Sequence, residues 1–200
     1  MQRKKTSSIA AVLLAFALLP APAGAWGAGT YLEYVWGSQE IEFDLVDASF
    51  TNHRFGAGFV LDTNVARDEL LGLRVGLGYL RTENTVGDQA HGGAFDLAVS
   101  FGVWRTPRLR VFVAPAIRVG ADVYESKLAD VFDLSVGGGA IAGLNWHLAE
   151  RLSLSPTLAY QYMYVRESIE DDFGKDRYTG GEHVFRARVT LLFRDAADFF

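Results

Sequence analysis

The chain has 200 residues, with 19 Lys+Arg against 24 Asp+Glu, a formal charge of −5, half of its residues hydrophobic and no cysteine. The lack of cysteine excludes disulfides, thiolate metal sites and a lipid-modified N-terminal cysteine. The acidic balance excludes nucleic acid as a partner.

Residues 1–25 read as a secretory signal: a basic start at Arg3, Lys4 and Lys5, an apolar stretch from Ile9 to Leu19, breakers at Pro20 and Pro22, and the small-residue site Ala23-Gly24-Ala25. Cleavage is expected before Trp26. Without the signal's three basic residues, 16 Lys+Arg face 24 Asp+Glu, a balance of −8. Beyond residue 25 the longest apolar run is the seven residues Val111 to Ile117, with Pro115 inside it. That is far short of the roughly 18 that a membrane helix needs.

The mature chain alternates with period two almost throughout, the signature of strands with unlike faces. In chain order the alternation covers Thr30–Trp36, Arg54–Leu61, Leu71–Tyr79, Phe95–Val103, Leu109–Gly120, Leu134–Trp146, Leu152–Tyr164 and Phe185–Phe193. These make eight candidate strands, near the roughly 9–11 residues that cross a bilayer at a tilt. Connections 63–69, 105–108 and 147–151 are short, whereas 37–53, 82–93, 122–133 and 166–182 are long and polar. Short turns on one side and long loops on the other are the layout of an outer-membrane barrel. The expected fold is all-β: an eight-stranded antiparallel transmembrane barrel over 26–193, with a short tail at 194–200. Pro115 and Pro156 remove ladder hydrogen bonds in mid-strand, so local bulges are expected there.

The two faces settle which solvent each meets. One is a continuous Leu/Val/Phe surface suited to lipid once every backbone group is bonded between strands. The other is dominated by Gly, Ala and Ser, with Arg54, Arg74, Arg110, Arg118, Arg186 and Arg188 and the acids Glu33 and Asp96. In a bore just wide enough for side chains, these eight read as a structural lumen charge network. Tyr34, Trp36, Tyr79, Tyr160, Tyr162 and Tyr164 fall at one end of the apolar face, and Trp146 and Phe193 at the other. They match two interfacial girdles.

"SVGGGAIAGL" (135–144) contains the G-x-G-x-x-A spacing of a dinucleotide turn at Gly137, Gly139 and Ala142. Such a turn should open a helix and meet an acid about 20 residues on. Here period two continues and Tyr162 stands near that distance. The stretch reads as the sixth strand, its glycines leaving room for inward arginines of neighbouring strands. His53, His91 and His183 lie toward the outer end, where they could meet loop acids as a triad or metal site; solvated loop histidines are the favoured reading. His147 lies at the opposite end. No histidine is followed two positions on by serine. The acids Glu40, Glu42, Asp44, Asp47, Glu170, Asp171, Asp172 and Asp176 lack the order of a calcium loop and read as solvated. No catalytic, cofactor or metal residue is assigned.

The stretch "VGGGAIAGLNWHLAERLSLSPTLAYQYMYV", with Arg151 in its turn, resembles the small outer-membrane β-barrel family that includes OmpA/OmpX-type and opacity-type proteins. The final "VFRARVTLLF" resembles the signal by which the barrel-assembly machinery reads a last strand. In that family the signal ends the chain, whereas here "RDAADFF" follows. The resemblance implies an integral outer-membrane protein, partnered by outer-membrane lipid and lipopolysaccharide, with a monomer favoured and the oligomeric state left open. Its role would be structural, surface-interacting or adhesive, with at most a narrow pore. The rivals are a lipid A-modifying rim enzyme (deacylase or acyltransferase) and a small-solute channel.

Overall fold

The computed structural model describes residues 26–42, 47–64, 70–85, 89–124, 130–171 and 174–194. They form β1 (Trp26–Glu42), β2 (Asp47–Asn64), β3 (Leu71–Asn84), β4 (Gln89–Thr106), β5 (Leu109–Tyr124), β6 (Asp130–Ala149), β7 (Leu152–Asp171) and β8 (Gly174–Arg194). Each strand pairs antiparallel with its sequence neighbours. β1 closes on β8 from Gly27↔Arg194 to Glu42↔Thr179, giving a closed barrel. Closure leaves no edge strand, so the backbone ladder can face an apolar solvent.

Hydrogen-bonded partners traced once round the barrel run Val113, Ala142, Leu158, Ala187, Tyr34, Phe55, Arg81, His91 and back to β5 at Val123, a stagger of ten residues. At a strand spacing of ~4.8 Å and a rise of ~3.3 Å, that stagger tilts the strands by about 40°. Each residue then climbs about 2.5 Å along the axis.

The strands outrun their apolar alternation. Most of 37–53, 82–93, 122–133 and 166–182, expected as loop, continues the ladders: β1–β2 pairs up to Glu42↔Asp47 and β7–β8 up to Asp171↔Gly174. Beyond the apolar zone both faces meet polar surroundings, so hydropathy loses its period while backbone pairing persists. Arg194, expected in the tail, is the last residue of β8 and its side chain is buried. The rest of that tail and the signal segment lie outside the described residues.

Neither proline bulges its strand. Ala98↔Ala116 and Phe101↔Val113 keep one register past Pro115, as do Gly143↔Thr157 and Trp146↔Leu154 past Pro156. Each proline stays paired on its other side, Pro115 with Ala140 and Pro156 with Val189. The missing N–H therefore interrupts one ladder locally without shifting it. The bulges fall at the short-turn ends, at Gly102/Trp104 and His147/Ala149. Beside the first, Thr106 Oγ1 accepts from Leu109 N at 3.0 Å across the Pro107–Arg108 turn.

Candidate functional site

All eight lumen candidates are buried, between 2% and 8% exposed, and the structure sorts them into three levels. Glu33, Asp96, Arg118, Arg186 and Arg188 meet at the middle. Arg118 donates to Glu33 at 2.9 Å and to Asp96 at 3.1 Å; Arg186 donates to Asp96 at 2.6 Å. Arg188 donates to Glu33 at 3.0 and 2.7 Å, also donates to Asp96, and lies 3.8 Å from the centroid of the Tyr31 ring. Two carboxylates thus accept from three guanidiniums, and burial makes such pairing obligatory.

Arg54 belongs to the outer level. It grips Glu182 with two bonds of 2.7 and 3.0 Å, and Asn52 ties Glu182 to Gln39. Arg74 and Arg110 lie at the short-turn level. There Arg74 donates to Asp62 at 3.3 Å and to Ser155 at 2.8 Å, and Arg194 donates to Asp62 at 3.1 Å. Sequence reasoning missed Glu182, Asp62, Asn52, Gln39 and Arg194. Strand parity would have found them had the strands been extended past their apolar stretches.

Between the levels the bore is filled by apolar side chains: Phe112, Ile141, Ala98 and Ala114 below, Val35, Met163 and Val184 above. A cavity beside Arg54, Arg118, Asp122 and Glu182 holds about 10 Å³, room for about one water.

Of the glycines of "SVGGGAIAGL", Gly137 stands across from the inward Arg118 in the ladder, but the atoms nearest to Gly137, Gly139 and Gly143 belong to β7 and to Phe112. A Cβ at Gly137 or Gly139 would strike the β7 backbone at Tyr162 and Tyr160, and one at Gly143 would meet Thr157 and the Phe112 ring. They serve close strand approach and the packing of Phe112 and Met163. The glycines beside guanidiniums are Gly76, facing Arg188, and Gly37, facing Glu182 and Arg54.

Outside, the expected girdle residues Tyr34, Trp36, Tyr79, Trp146, Tyr160, Tyr162, Tyr164 and Phe193 are 37–60% exposed. Trp26 and Trp104, also exposed, join Trp146 and Phe193 at the short-turn end. Ten residues of β8 separate Phe193 from His183, about 25 Å along the axis at this tilt, the height of a bilayer-facing apolar band.

The rim histidines do not meet one another. They sit on β2, β4 and β8, which are not neighbours, and point outward. Each takes a tyrosine hydroxyl at Nδ1: Tyr34–His53 at 2.6 Å, Tyr160–His183 at 2.7 Å, and Tyr79–His91. In each pair the rings stack within 25° across one hairpin. The stagger brings all three imidazoles to about one height. Among the described residues no group of three His, Asp or Glu is arranged to hold a metal ion. Of the acids expected in loops, Glu40 and Asp176 are exposed on strands, and the side chains of the others lie outside the described residues.

At the short-turn end His147 Nδ1 and Ser153 Oγ stand 2.9 Å apart. Ser153 has no exposed surface, so this contact cannot present a nucleophile to substrate. Beyond the outer girdle, burial and the neighbouring Glu167 and Asp122 carboxylates push Asp133 up to about 8. Tyr124, hydrogen-bonded to it, is pushed up as well, chiefly by burial.

No family profile matches the sequence, and comparison with curated proteins finds no match. Among solved structures, the outer membrane protease OmpT from Escherichia coli superposes with a TM-score of 0.51 and 7% identity, over 88% of this chain and 99% of that one. A major outer membrane protein from Thermus thermophilus gives 0.49 and 16% identity, over 83% and 99%. Ail, the attachment invasion locus protein of Yersinia pestis, gives 0.46 and 10% identity, over 85% and 99%. The chain has the fold of the outer-membrane β-barrels. In this barrel ion pairs cross the bore and the outer wall is largely apolar from girdle to girdle.

Proposed function

We infer that this protein is an integral outer-membrane barrel with a sealed bore, acting as a structural element that presents its outer hairpins at the cell surface. The observation that carries this is the inversion of its faces. Leu32, Phe59 and Leu158 are 67–72% exposed on the outside while Glu33, Asp96 and Arg118 are 3–5% exposed inside. In water this arrangement would forfeit the burial of a whole apolar wall, at about 25 cal/mol per Å²; in a bilayer it is the stable one. The surface role draws support from the β1–β2 and β7–β8 ladders, which run well past Trp36 and Tyr164.

The rival readings have less behind them. A solute channel needs a wetted path, and the three charged levels alternate with apolar packing. A rim enzyme needs a base next to a nucleophile, and the rim imidazoles are engaged by tyrosines on the outward wall.

The mature chain is expected to fold in detergent with β-sheet circular dichroism and heat-modifiable gel mobility. Incubated with lipid A, it should leave the acyl chains unchanged. Detergent-free solubility would overturn the membrane reading. Release or transfer of an acyl chain would overturn the non-enzymatic one.

A further inference from the structure

Pro156 opens a gap in the β6–β7 ladder, and the atom left unmatched can be named. Gly143↔Thr157 and Trp146↔Leu154 form in one register, while the two pairs between them, Leu144 with Pro156 and Asn145 with Ser155, do not. In an antiparallel ladder both are lost together when the missing N–H is the one that would reach the carbonyl directly opposite. That carbonyl is Leu144 O. No turn or side-chain donor among the described residues takes the place of the proline nitrogen. Pro115 does the same to Val99 O: Ala98↔Ala116 and Phe101↔Val113 form, and the pairs of Val99 with Pro115 and of Ser100 with Ala114 do not.

The two carbonyls differ in what lies outside them. Leu144 and Pro156 both line an apolar depression of about 830 Å³ in the outer wall, and neither Val99 nor Pro115 lines it. The volume falls within the roughly 300–1,000 Å³ of small-molecule sites. Ala142 and Ala187 flank Leu158 in register, and their short side chains hollow out the wall. The depression runs from Val111 and Leu144 near the short-turn end toward Leu32 and Tyr34. Leu144 stands two residues from Trp146 on β6, about 5 Å along the axis toward mid-wall. Girdle aromatics lie at headgroup level, so this oxygen sits below the headgroups, where hydrocarbon surrounds it and an unmatched carbonyl is costly.

We propose that the depression binds a neutral lipid alcohol, whose hydroxyl donates to Leu144 O while its chains lie along the wall toward Leu32. A charged headgroup would have to be drawn below the interface to reach the same atom, so the depth selects an uncharged donor. A lipid without a donor fills the hollow but leaves the carbonyl unmatched. The proposal rests on the bilayer reading above. Val99 O, which has the same gap but lies outside the depression, is its internal control.

The test uses the full mature chain in detergent, first checked for heat-modifiable mobility and β-sheet circular dichroism. Failure of that check would strike the bilayer reading, not the site. Binding is then measured by native mass spectrometry with dimyristoylglycerol, with its 3-O-acetyl ester (the same chains without the donor) and with dimyristoyl phosphatidylcholine. Dimyristoylglycerol should bind best, about tenfold more tightly than the ester. Pro156→Ala supplies the missing N–H, lets β7 close on Leu144 O and should erase that preference without loss of the heat-modifiable band. Pro115→Ala, which closes the gap at Val99, should leave the preference unchanged, and Ala187→Phe, which fills the hollow, should weaken both glycerides. Equal binding of alcohol and ester, phosphatidylcholine matching the alcohol, a preference that survives Pro156→Ala or is lost equally in Pro115→Ala, an unaffected Ala187→Phe, or a dimer of the chain in place of lipid adducts would each overturn the proposal.

Discussion

Arg118 on β5 donates to Glu33 on β1 at 2.9 Å, and these strands stand opposite one another in the eight-stranded ring. The bond therefore spans the bore. With Asp96, Arg186 and Arg188 it forms a plate across the barrel at mid-height. Reconstituted in a planar bilayer, the protein is expected to show no conductance steps. Glu33→Ala combined with Arg118→Ala should introduce them, and stable steps in the unaltered protein would contradict a sealed bore.

The same plate is the structural keystone. Asp96→Asn removes the charge that three guanidiniums share. Breaking a buried network in this way costs about 3–5 kcal/mol. The exposed Arg81–Glu83 pair, with both side chains about half exposed, is the contrast: Glu83→Gln should cost under about 1 kcal/mol. Urea titration of folding into vesicles measures both.

Tyr31 reaches across to Gly78, where an added Cβ would strike its hydroxyl and ring carbon. Gly78→Ala is expected to destabilise the barrel by about 1–3 kcal/mol through overpacking. Tyr31→Ala in the same chain should remove much of that increment, giving a coupling of about 1 kcal/mol or more in a double-mutant cycle. Additive losses would mean the two side chains do not meet.

Asp133 is raised from the ordinary carboxylate range to about 8. Its folded form holds a proton that the unfolded chain has already released between about pH 4 and 8. Stability at the outer end of β5–β6 should therefore fall as pH rises through that window, and be fullest below it. Amide exchange in this hairpin, corrected for intrinsic rates, should slow from pH 8.5 to 5.5. Asp133→Asn should remove the dependence.

Much of this is legible in the sequence. From Leu71 to Tyr79 every second residue is large and apolar, and isolated arginines on a Gly/Ala face can point only inward. What meets what was not legible. Arg118 finds Glu33 at a separation of 85 residues, and Arg188 finds it at 155, because closure with a stagger of ten aligns them. No local pattern encodes that stagger. Glu182 stands between Gly181 and His183, where the outward face has lost its large apolar residues, whereas Asp62 and Asp122 follow directly on the alternation, beside Leu61 and Val123, just past the strand ends read from the sequence. The tyrosine–histidine pairs lie 19, 12 and 23 residues apart, unequal because the hairpins differ in length, which hid a single repeated geometry. The glycines of β6 read as space for arginines, and Gly137 does stand across from Arg118. Their nearest neighbours are the β7 backbone, Met163 and Phe112, which only strand pairing discloses.

The most direct test asks which face of the wall meets hydrocarbon. The chain has no cysteine, so single cysteines can be placed at Phe59, Val60, Leu158 and Ala159, spin-labelled and read in bilayers for collision with oxygen and with a water-soluble nickel chelate. Labels at Phe59 and Leu158 should be strongly relaxed by oxygen and shielded from nickel. Those at Val60 and Ala159 should be shielded from both. Nickel reaching Phe59 and Leu158, or oxygen favouring Val60 and Ala159, would contradict an apolar wall turned toward lipid.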